Sequence, residues 1–238
     1  MSDSERSFVD RVQKARTLHD ACAGFTPVYT PPPQGVMLPA YSLKITACDA
    51  HNNAAMDALV PWQEVVEMRS ETADTIKKTT TQLINYIKGS AAWRSKYTAA
   101  KRFADAIRGM KPPRKPALPP APDQPPASQH ERGGQSFAEL ESNWRGLVTL
   151  IGGLSGYAPT EPKIQLGTLN GLLSSMHSHN VEFSKKDAAL SEAQKDRSKG
   201  FFEEDAGLAA LFTGVKTNVK GQYGNTSTQW AQVKGLRW

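Results

Sequence analysis

A chain of 238 residues is long for a single core, because burial by one core stops improving well before this length and longer chains divide. Hydrophobic residues make up 39% and aromatics 8%, enough for packed cores. No run approaches the roughly 18 apolar residues of a bilayer span, so membrane-spanning and collagen-like chains are excluded, and the net charge of +6 leaves an anionic partner open. The first residues lack the basic and apolar regions of a secretory signal, so a cytoplasmic location is expected. Cys22 and Cys48 are too few for a disulfide framework and read as reduced, buried thiols.

In chain order, Phe8, Val12 and Cys22 predict a first helix that stops at Gly24. Leu38, Tyr41, Ile45, Cys48, Asn52, Ala55, Leu59, Trp62, Val66, Arg69 and Ala73 then follow a 3-4 spacing, the seam of a long helix. Pro39 suits its first turn, whereas Pro61 lies in its interior and predicts a kink. Leu83, Ile84, Ile87 and Ala91 predict a third helix, and the stretch around Tyr97 a fourth. Eight of the sixteen prolines fall within 112–133, a composition that favours extended, unpacked chain. It reads as a semi-rigid linker.

Beyond the linker the pattern returns. Phe137, Trp144, Leu147 and Ile151 predict a helix ended by Gly152-Gly153. Leu166, Leu169, Leu173, Met176, Asn180, Phe183, Asp187, Leu190, Gln194, Arg197 and Phe201 form a second long seam, begun near Pro162. Leu208, Leu211, Phe212, Val215 and Val219 mark a third helix, and Tyr223-Gly-Asn-Thr-Ser caps a short fourth bearing Trp230, Val233 and Leu236.

An offset of 128 places Leu38 on Leu166, Asn52 on Asn180, Arg69 on Arg197 and Leu83 on Leu211. Tyr29-Thr-Pro and Tyr157-Ala-Pro correspond as well. Toward the ends the register slips, so that Ser7-Phe8 meets Ser136-Phe137 at 129 and Tyr97 meets Tyr223 at 126. The expectation is an all-α protein of two tandem, internally duplicated four-helix bundles, 1–111 and 134–238, joined by the proline-rich linker at 112–133. Tyr157-Ala-Pro, the stretch ending at Arg197, Val215-Lys-x-x-Val219-Lys and the segment from Tyr223 to Leu236 resemble a family of uncharacterised bacterial proteins made of two tandem helical bundles. That resemblance implies the fold and carries no activity.

No phosphate-binding loop, nucleophile elbow or His-Glu-x-x-His appears, and nothing in the sequence implies a cofactor or metal. His177 and His179, two apart on a helix, point in nearly opposite directions and cannot chelate together. The informative polar residues are Asn52, Asn180, Arg69 and Arg197, all at seam positions. They read as devices that set register and as members of an internal hydrogen-bonded pair, with a carboxylate or helix-end carbonyl expected to receive each arginine. A bound anion is the competing reading. The positive excess lies mainly in the first copy, where Arg94, Lys96, Lys101, Arg102, Arg108 and Lys111 are interleaved with Trp93, Tyr97 and Phe103. The leading expectation is therefore a non-enzymatic interaction or scaffold protein with a protein partner. The alternative is a nucleic-acid-binding module using that basic cluster.

Overall fold

The computed structural model describes residues 3–33, 35–110 and 136–238, so the linker expected at 112–133 and Lys111 lie outside the described residues. The described chain is all-α and holds no strand. Its helices are α1 (Asp3–Ala23), α2 (Leu38–Gly89), α3 (Arg94–Ile107), α4 (Phe137–Gly152), α5 (Leu166–Phe202), α6 (Leu208–Tyr223) and α7 (Thr228–Val233). Short 3-10 turns at Ala91–Trp93 and Pro162–Ile164 precede α3 and α5. None of the described helices is long and apolar enough to cross a membrane.

The two long seams are resolved differently. The second ends at Phe202, where Asp205 adopts a left-handed φ of 61° and Gly207 forms the N-cap of α6. A Cβ on Gly207 would meet the Glu203 backbone at 2.6 Å, so this tight break needs glycine. The offset of 128 puts Thr79 at that position in the first copy. There the chain stays helical through buried Thr79 and Thr80, and the Thr80 hydroxyl donates to the Ile76 carbonyl at 2.7 Å. The separate third helix expected around Leu83 is consequently the end of α2, and the first copy supplies three helices instead of four. α2 also continues through Pro61, which removes one backbone bond without ending the helix.

The described helices gather into two compact units. Unit 1 takes residues 1–63 and 186–238. Its core includes Val12, Leu18, Tyr41, Ile45, Phe201, Phe212, Val215 and Val219. Within it α1 packs on α6 and α7, and bonds at 48–200 and 62–187 show the first part of α2 running antiparallel to the last part of α5. Two bonds fix that register, from Cys48 Sγ to the Gly200 carbonyl at 3.2 Å and from Trp62 Nε1 to Asp187 Oδ1 at 3.0 Å. Both thiols are free and buried, as read from the sequence. Burial pushes Cys22 up to about 12 and Cys48 up to about 11, with Lys44 pulling the latter back slightly.

Unit 2 takes residues 64–185, around a core that includes Ile76, Leu83, Ile87, Ile107, Trp144, Leu147, Ile151 and Met176. α3 packs against α4 so closely that a Cβ on Gly146 would lie 2.4 Å from the Phe103 ring. The sequence copies, 1–111 and 134–238, and these units divide the chain differently. Each unit takes the first half of one copy and the second half of the other. The physical reason is helix length: α2 spans about 78 Å at 1.5 Å per residue, far more than one bundle layer can cover, so its two halves are buried in separate cores.

Candidate functional site

The seam polar residues sit in a common packing frame. In unit 2 the Arg69 guanidinium carbon lies 4.1 Å from the Phe137 ring centroid and 3.5 Å from that of Phe183. In unit 1 the Arg197 guanidinium lies over Phe8, at 4.2 Å. Phe8 and Phe137 are the residues matched at an offset of 129, and each receives the arginine of the other copy. Arg197 is only 6% exposed, so its charge rests on an aromatic face in a poorly solvated place, where a cation over a ring is worth most. The aromatic faces are partners that the sequence reading did not name; the repeated Phe is the signal that pointed to them.

Asn52 and Arg69, which share one helix face, fall in different units and are not brought together. Asn180 instead joins Arg69 around Phe137, since its Nδ2 reaches the Phe137 carbonyl at 3.4 Å while the arginine covers the ring. Asn52 is 1% exposed, its Nδ2 reaches the Met56 sulfur at 3.9 Å, and its Oδ1 is buried without a hydrogen bond among the described residues. The loops that lead into the long helices share a second device. The Tyr29 hydroxyl donates to the Val36 carbonyl at 3.2 Å, and the Tyr157 hydroxyl donates to that of Ile164, in each case seven residues on.

Around this frame unit 2 builds a polar groove of about 420 Å³ between α4 and α5. α4 is phased by a capping box in which the Ser136 hydroxyl accepts from the Glu139 N–H and the Ser136 N–H donates to Glu139. That phase buries Leu140 and Trp144 and turns Glu141 and Arg145 toward His177 and Asn180 on α5. The Glu141 carboxylate accepts from Asn180 Nδ2 at 2.8 Å, from Arg145 at 2.9 Å and meets His177 Nδ1 at 3.0 Å. Burial pushes the Glu141 carboxyl up, but the donors from Asn180, Arg145 and His177 outweigh it and hold the group below its ordinary value. The result is a carboxylate-oriented imidazole at the lip of an open groove. Glu141 and its role were not legible from the sequence, because a lone Glu at an i, i+4 spacing from Arg reads as a surface pair.

His179 turns the other way, its Nδ1 3.2 Å from the Thr72 hydroxyl, in keeping with the spacing argument against a shared metal. No group of three or more His, Cys, Asp or Glu side chains suited to a metal occurs among the described residues. In unit 1 the place of the groove is held by an ion pair between Arg16 and Asp49 at 2.6 Å. Asp49 is the residue that the offset of 128 sets on His177.

The basic cluster on α3 is arranged for packing. Trp93 is buried and donates its indole N–H to the Ser155 carbonyl at 3.1 Å, while Tyr97 and Phe103 pack against the unit 2 core. The rings interleaved with cations in sequence are thus turned inward. Lys101 bonds Asp105 at 2.5 Å and Arg108 donates to the Thr81 hydroxyl at 3.2 Å, whereas Arg94, Lys96 and Arg102 are exposed. No known protein family, curated protein or solved structure matches the chain.

Proposed function

We propose that the chain is an internally duplicated pair of helical bundles, each assembled from halves of both copies, and that it serves as a non-enzymatic interaction or scaffold protein with two unlike docking faces. One observation carries this reading. The packing frame is held in common, with arginine over phenylalanine and tyrosine to a carbonyl seven residues on, while the polar surface beside it differs. Unit 1 presents Arg16 and Asp49 where unit 2 presents Arg145, Glu141 and His177. A frame kept in common alongside divergent surfaces suits a protein that joins two different partners, since complementary polar and charged groups set specificity more than affinity.

The inward-facing Trp93 and Phe103 favour this reading over nucleic-acid binding, because single-strand recognition uses exposed rings beside its cations. The test is affinity capture with cross-linking, using the full chain and two surface variants, Arg16→Ala with Asp49→Ala and Arg145→Ala with His177→Ala. Each variant should lose a different, reproducible subset of cross-linked proteins. Identical sets for both variants and the unaltered chain would overturn two-faced docking. Binding of nucleic acid that weakens steeply with salt would favour the alternative.

A further inference from the structure

A second cleft, of about 470 Å³, lies wholly within unit 1, where Lys216 and Lys220 of α6 meet Trp230 of α7 and the final residues Arg237 and Trp238. On α6 the four-residue spacing sets Phe212, Lys216 and Lys220 along one stripe, with Phe212 buried at its base and Lys220 exposed at its rim. α7 is phased by Ser227, whose hydroxyl accepts from the Trp230 N–H at 3.0 Å. That phase sends Val233 into the core and leaves Trp230 half-buried at the cleft.

Lys216 has a structural duty here. Its ammonium donates to the carbonyls of Lys234 at 3.2 Å and Leu236 at 2.5 Å, which ties down the segment after α7. Carbonyls satisfy two of its hydrogens without neutralising its charge, and no Asp or Glu side chain lines the cleft. Burial first, and then the nearby Arg237, hold Lys216 below its ordinary value.

The apolar wall is built from packed rings. Trp238 packs on Phe212 with ring centroids 5.3 Å apart and on Phe201 at 6.3 Å, and Arg11 lies 5.8 Å from its ring. Its indole N–H is buried and meets no acceptor among the described residues. The indole N–H groups of Trp62, Trp93 and Trp144 all find acceptors, on Asp187, Ser155 and Leu169. A buried donor left unmet is costly, and its burial keeps this N–H out of the open cleft.

We propose that this cleft binds a small organic anion in which a phosphate or carboxylate head is joined to a flat ring, the head toward Lys220 and Arg237 and the ring along Trp230 and Trp238. Converging cations with no acidic side chain among the lining residues select the head. The indoles select the ring.

The test is calorimetric and fluorescence titration of the full chain with phenyl phosphate and phenylacetate, with inorganic phosphate and benzyl alcohol supplying the head and the ring alone. At least one of the two aromatic anions should bind saturably, quench tryptophan emission and bind roughly tenfold more tightly than either fragment. Which one binds identifies the head group. The double variant Lys220→Gln, Arg237→Gln alters two exposed side chains and should keep its melting temperature while weakening that binding roughly tenfold. Saturation by neither aromatic anion, equal affinity for inorganic phosphate, or unchanged affinity in a folded double variant would each overturn the proposal.

Discussion

The guanidinium of Arg197 lies over the ring of Phe8, 4.2 Å from its centroid, and joins the last part of α5 to α1. Arg69 stands in the same relation to Phe137 at 4.1 Å, with Phe183 as a further ring. Planar guanidinium stacks in a way that a compact ammonium cannot. Arg197→Ala should therefore lower stability by about 2 kcal/mol, and Arg197→Lys should recover less than half of the loss. Urea melts measure both. A bound-anion role for the arginine predicts the reverse, so an unchanged or raised midpoint for Arg197→Ala, repeated in Arg69→Ala, would sink the packing role.

The composition of the units makes a prediction about cleavage. If the chain is cut within 112–133, the fragments correspond to the two sequence copies, yet each unit draws on both. The fragments should stay together on gel filtration and separate only in denaturant. Two stable, independently migrating fragments would show that each copy folds by itself.

Asn52 and Asn180 occupy matching seam positions but are satisfied unequally. Asn180→Leu removes a donor from the Glu141 carboxylate and should cost about 1–3 kcal/mol. The Oδ1 atoms of both are buried without a hydrogen bond among the described residues, so the difference lies at Nδ2: Asn52→Leu gives up only a long contact with the Met56 sulfur and should be neutral or stabilising by about 1 kcal/mol. Thermal melts of the two variants should shift in opposite directions or, for Asn52, not shift at all.

Glu141 adds an acid-side dependence. Its carboxyl is held lower in the folded than in the unfolded chain, so its contribution is present above the ordinary carboxylate value and is lost as pH falls through the folded value. Stability between about pH 5 and 3 should fall less steeply in Glu141→Gln than in the unaltered chain. Parallel curves would remove Glu141 from the acid transition.

Helix type and phase were legible because the 3-4 spacing recurs along two segments, from Leu38 and from Leu166. The length of α2 was not. Whether a chain breaks near position 79 or 207 depends on one glycine and on a hydroxyl that can bond back to its own helix, as Thr80 does. Unit composition was illegible for a related reason: periodicity states which face of a helix is buried and leaves open which neighbour buries it. The arginines were legible as special through their repeated seam position, while their aromatic partners lay in α1 and α4, more than sixty residues away in sequence. Glu141 needed the capping box of α4 to set its direction, and no spacing rule conveys that.

The bonds that close unit 1 join residues about two hundred positions apart, such as Thr30 N–H with Gln222 Oε1, Tyr223 hydroxyl with the Pro27 carbonyl and Gln229 with the Thr26 carbonyl. Those of unit 2 join much nearer residues, as Trp93 does with Ser155. On the ribosome all of 64–185 emerges while the strip from α6 onward is still unmade, so unit 2 can close first and α1 must wait with its apolar face uncovered. Nascent α1 and the first part of α2 are consequently the segments that a chaperone would meet, and slow translation of 186–238 lengthens that exposure.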